Sequence, residues 1–79
     1  MPEPLALGAQ GEHVQRLQEA LVAQGYFVGN VDGWFGPRTD AAVRYFQSVS
    51  SLEVNGIADD HVYAYLGISD DGTQHSGAD

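Results

Sequence analysis

The sequence predicts an all-α fold: a compact three-helix bundle built from three turn-plus-helix repeats. Three observations carry that reading. Apolar residues recur at spacings of three and four in three separate segments, which is the period of a helix face. Each segment follows a glycine-containing turn. The turns also resemble one another. Asp32-Gly33 aligns with Asn55-Gly56, and in that register Trp34 meets Ile57, Ala41 meets Ala64 and Val43 meets Leu66. Gly8 and Gly11 match Gly33 and Gly36 in the same way, with Val14 where Thr39 falls. No such unit buries its apolar face alone, so three in succession close on one another.

Taken in order, residues 1–4 read as a flexible lead-in, because Pro2 and Pro4 exclude a helix. Leu5-Ala6-Leu7 is apolar and is expected to pack across the bundle before a turn at Gly8. A first helix follows over about residues 11–24, with Val14, Leu17, Gln18, Leu21 and Val22 on one face. Gly25 stands where a helix end needs positive φ. Tyr26-Phe27-Val28 is too short for a sheet and reads as an extended loop burying Tyr26 or Phe27 between helices.

Pro37 suits the first position of a second helix, where its missing N–H costs nothing. Thr39, Ala42, Val43, Phe46 and Val49 form its apolar stripe; Asp40, Arg44, Gln47 and Ser48 lie mostly away from it, and the serines end it near residue 50. Phe35 and Phe46 are expected in the core. Asp59 and Asp60 can cap a third helix and favour its positive end. Val62, Tyr65 and Leu66 give that helix its buried face, and Gly67 ends it. The organisation is then a lead-in (1–4), one domain (5–67), and an acidic tail or linker (68–79) expected to be disordered, since it holds almost nothing apolar.

Composition narrows the function. A chain of 79 residues allows one domain with a thin core, burying about 60% of the surface its unfolded chain exposes. A shallow groove is expected rather than a deep pocket. Eleven acidic residues against three Arg and no Lys give a net charge of −8. Such a surface repels a phosphate backbone, which argues against nucleic acid. No segment approaches the roughly 20 apolar residues of a membrane span. Without Cys there are no disulfides or thiolate metal sites. Neither a basic, apolar leader nor its cleavage site is seen. The expected location is therefore the cell envelope or exterior if this is part of a longer secreted chain, and the cytoplasm if it stands alone.

Catalytic constellations are missing. His13, His61 and His75 include no i, i+4 pair and no His-Glu-x-x-His, so no metal is expected. Asp32-Gly33 and Asp70-Asp71-Gly72 lack the ligand spacing of a calcium loop. Gly33 and Gly36 precede no Lys-Ser/Thr, and no nucleophile elbow occurs. No cofactor is expected. What remains is recognition. Trp34, Tyr26, Tyr45, Tyr63 and Tyr65 offer flat amphipathic surfaces suited to sugar rings or peptide stems, although some of them must fill the core. Arg38 and Arg44 can pair with a ligand carboxylate. Gln18 and Gln47 more naturally hydrogen-bond the backbone of a neighbouring turn.

The run Leu7-Gly8-Ala9-Gln10-Gly11-Glu12-His13-Val14-Gln15-Arg16-Leu17-Gln18, then Gly25-Tyr26, then Asp32-Gly33-Trp34-Phe35-Gly36-Pro37-Arg38-Thr39 with Ala42-Val43 and Phe46-Gln47 resembles the peptidoglycan-binding domain family, type 1. The likeness spans about residues 5–67. It implies helices around a shallow groove and a non-catalytic module that holds an attached cell-wall hydrolase, or another protein partner, on peptidoglycan. On this footing the candidate ligand contacts are Tyr26, Asp32, Trp34 and Arg38, together with Thr39, Arg44 and Tyr45. The third repeat departs from the family pattern: Asp59 replaces a Gly, Asp60 a Pro, Val62 a Thr and Tyr63 a Trp. The alternative is a protein-interaction adaptor that keeps the fold without binding glycan.

Overall fold

The computed structural model describes residues 4–26 and 29–67. Expectations for the lead-in before Pro4, for Phe27 and Val28, and for the tail from residue 68 lie outside the described residues. Three helices follow in order: α1 (Glu12–Ala23), α2 (Pro37–Val49) and α3 (Asp60–Leu66). No strand occurs among the described residues. Two isolated antiparallel bridges, Leu5 with Ala58 and Gln10 with Trp34, fasten the N-terminal segment across the second and third turns.

α1 forms where the spacing places it. Val14, Leu17, Ala20 and Leu21 are buried, and α1 packs against both α2 and α3. Val22 is largely exposed, contrary to its place in the sequence stripe. At 100° per residue it falls beyond Gln18, past the edge of the face that Leu17 and Leu21 centre. α2 buries Thr39, Ala42, Val43 and Phe46 as expected, but also Gln47, which the spacing put outside the stripe. Val49, assigned to the stripe, lies at the far edge and is exposed. The buried face of α2 is thus rotated toward Gln47. In α3, Val62, Tyr63 and Leu66 face inward and Tyr65 is exposed, reversing the expectation for Tyr65. Phe35 lies wholly in the core, and of the segment Leu5-Ala6-Leu7 only Leu5 is buried.

The helix ends have identifiable causes. The Asp59 carboxylate accepts from the amides of His61 and Val62 at 3.1 and 3.3 Å and caps α3. α1 and α2 close alike. The amide of Tyr26 donates to Leu21 O at 2.7 Å after Gly25 at φ 87°, and that of Leu52 donates to Gln47 O at 2.9 Å after Ser51 at φ 61°. This is the left-handed closure that usually takes glycine; α2 makes it with serine.

The repeats are joined by two glutamines. Gln18 Oε1 accepts from the amides of Asp32 and Gly33, while its Nε2 donates to Trp34 O, Asp32 Oδ1 and Thr39 Oγ1. Gln47 does the same one repeat later, accepting from the amides of Asn55 and Gly56 and donating to Asn55 Oδ1 and Ile57 O. Each turn is also closed by its own side chain: Trp34 N donates to Asp32 Oδ1, and Ile57 N to Asn55 Oδ1. The helix before each turn therefore fixes its shape. No buried side-chain polar atom among the described residues lacks a partner.

Candidate functional site

The site grows from the second turn and the helix it starts. Arg38, Ala41, Ala42 and Tyr45 stand at i, i+3, i+4 and i+7 on α2, a single helix face. With Gly25, Tyr26 and Gly29 they line an open hollow of about 470 Å³. Tyr26 forms one wall, its ring 5.5 Å from that of Tyr45 and 5.4 Å, edge-on, from that of Phe46. These separations suit aromatic packing and fix the Tyr26 ring on α2.

A second hollow of about 230 Å³ lies on the other side of Arg38, lined by Trp34, Asn30, Pro37 and the Gln18 network. Arg38 borders both, so the two hollows adjoin along the groove at this residue. Trp34 is 47% exposed. Its indole lies against Gly36: a Cβ there would stand 2.5 Å from the ring. The missing side chain is what lets the ring lie down over the start of α2.

Charge singles out Arg38. Arg16 pairs with Glu12 at 3.4 Å and Arg44 with Asp40 at 3.1 Å. Among the described residues Arg38 makes no ion pair and no hydrogen bond. It is the one cation left uncommitted there, on a chain of net charge −8.

Of the seven sequence candidates the structure brings Tyr26, Trp34, Arg38 and Tyr45 together along the groove. The other three are engaged otherwise. Thr39 is 2% exposed and its hydroxyl accepts from Gln18, so it is a structural member of the core network. Asp32 borders the smaller hollow, but its carboxylate accepts from Trp34 N and Gln18 Nε2, and these two bonds hold its pKa below the ordinary range. Arg44 sits over Gly56, bound to Asp40. Residue-by-residue reading missed Ala41 and Ala42. Their signal was the helical spacing that links Arg38 to Tyr45, which leaves a shallow floor of methyl groups between a cation and a phenol. Among the described residues no three or more His, Asp or Glu are grouped to hold a metal ion, and no helix is long and apolar enough to cross a membrane.

Known proteins share this sequence pattern and fold. Residues 10–66 match the family described as "Putative peptidoglycan binding domain". The spore cortex-lytic enzyme of Bacillus cereus is 47% identical over 51 residues, which is 65% of this chain and 20% of that enzyme. This chain thus spans about one fifth of the curated relative. Among solved structures, the SleB N-terminal domain superposes with a TM-score of 0.79 at 38% identity, covering 84% of this chain and 90% of that one. The Burkholderia AP3 phage endolysin gives a TM-score of 0.77 at 34% identity, covering 81% of this chain and 24% of the endolysin.

Proposed function

The chain belongs to the peptidoglycan-binding domain family, and from that premise we propose that it is a non-catalytic module that holds an attached or associated protein on the bacterial cell wall. The carrying observation is the groove. It is open, lined by Ala41 and Ala42 and by the rings of Tyr26, Tyr45 and Trp34, and bordered by Arg38, which has no ion-pair partner among the described residues. Aromatic walls with an available guanidinium suit an amphipathic polymer of sugar rings and short peptides. Two of its relatives, a cortex-lytic enzyme and an endolysin, are several times longer than this chain, which supports a role as one part of a larger wall-directed protein. Tethering would raise the local concentration of an attached enzyme at its polymer without adding any chemistry.

Co-sedimentation with purified, insoluble peptidoglycan tests this. The chain should pellet with the wall at low and moderate salt, and the Trp34→Ala, Arg38→Ala double variant should stay in the supernatant while keeping its helical circular dichroism. Absence of pelleting for the unchanged chain at both salt levels would favour the adaptor reading instead.

A further inference from the structure

Resting on the wall-binding reading, we propose that the groove recognises the peptide stem of peptidoglycan through a carboxylate, with Arg38 as the specificity-determining residue. The choice of stem over glycan comes from charge. An unmodified sugar ring of the glycan offers hydroxyls and amides, whereas the stem carries free carboxylates. A guanidinium presents five donors in a planar fork that fits a carboxylate with two parallel bonds.

Arg38 is free to make those bonds. The chain's other two arginines are already paired with carboxylates four residues away, and Arg38 has no such partner among the described residues. It also borders two hollows, of about 470 and 230 Å³, rather than one. A ligand seated there extends to both sides of its charge, as a peptide does when the carboxylate branches from its backbone. The alanine floor and the Tyr26 and Tyr45 rings then meet one apolar flank of the stem, and Trp34 meets the other. Asp32 keeps its negative charge in the smaller hollow, but its carboxylate is held on the turn by Trp34 N and Gln18 and forms no ion pair with Arg38.

The test uses the full chain and purified sacculi, either untouched or with their carboxyl groups converted to amides. The unchanged chain should bind amidated walls at least tenfold more weakly. Arg38→Gln should bind untouched walls as weakly as the unchanged chain binds amidated ones, and should lose no more on amidation. Arg38→Lys should recover part of the affinity. Trp34→Ala should bind more weakly throughout yet keep its preference for untouched walls. A soluble stem peptide should compete, and its fully amidated form should not. Equal binding to untouched and amidated walls overturns the inference while leaving wall binding in place. So does competition by stem-free glycan strands but not by stem peptide. Failure to bind any wall preparation overturns the wall-binding reading and this inference with it. Because the amidated-wall comparison uses the unchanged protein, its outcome does not depend on how any variant folds.

Discussion

Ser51 occupies the left-handed position that closes α2, at φ 61°, where α1 has Gly25. A residue with a Cβ pays about 1–2 kcal/mol for that conformation, partly offset because glycine has more freedom to lose on folding. Ser51→Gly should therefore stabilise the chain by about 0.5–1 kcal/mol, read as a higher urea midpoint at unchanged slope. Gly36 makes the opposite case. Its φ of −97° suits any residue, so backbone strain does not require glycine there. A methyl group would instead collide with the Trp34 ring, which is half exposed and can move aside. Gly36→Ala should leave stability within about 1 kcal/mol and change the fluorescence of the single Trp. If the seated indole is part of the binding surface, wall affinity falls with it although no groove side chain has been altered. Unaltered emission would show that the ring does not rest on Gly36.

At the level of elements, most of the architecture was legible. The helix spacings, Pro37 at the start of α2, Asp59 at the start of α3 and the glycines at two helix ends each have a local cause, and local causes are visible in sequence. Less legible was the rotation of each helix about its own axis. Val22 and Val49 looked like core and are exposed; Gln47, set off the apolar stripe but expected to bond a neighbouring turn, does so from a buried position. Hydropathy alone ranks a glutamine below a valine, but a turn with unpaired amides nearby reverses the order. Gln18 and Gln47 each satisfy two turn amides with one oxygen. Removing the side chain would strand those donors in the interior. Gln47→Ala should cost about 2–4 kcal/mol, and Gln47→Glu, which keeps the acceptor but places a charge where a donor stood, should also destabilise the fold. Thermal denaturation measures both. A loss below about 0.5 kcal/mol for Gln47→Ala, typical of an ordinary surface site, would mean that the third turn holds its own shape.

For the molecule as a whole, the family was legible in the motif run from Leu7 to Gln47, and the bundle in the repeat spacing. The division of labour among the candidate contacts was not. Thr39, Asp32 and Arg44 have the right chemistry for a ligand, and only the three-dimensional arrangement shows that Gln18, Trp34 N and Asp40 already engage them. The whole molecule also sets an alkaline limit. Burial, followed by the nearby charges of Asp60 and Asp59, pushes the Tyr63 phenol from an ordinary 10.0 to about 12. The folded state holds that proton more tightly than the unfolded one. The associated stability is complete below pH 10 and is lost as pH rises from there through about 12. Urea midpoints measured across that window should fall, and Tyr63→Phe should flatten the decline while lowering stability at neutral pH through loss of the hydroxyl.

The paired amides of Leu5 and Ala58, at 3.0 and 2.7 Å, join the N-terminal segment to the turn before α3. The glutamine staples link residues at most 21 and 10 positions apart; this clasp closes a loop from residue 5 to residue 58. Chain entropy makes such a closure the last to gain from folding, since every intervening segment must first be in place. It should also be the first to open. In native-state hydrogen exchange the Leu5 and Ala58 amides should lose protection before that of Gly33, so that fraying begins as an unlatching of the N-terminal segment while the three helices remain assembled.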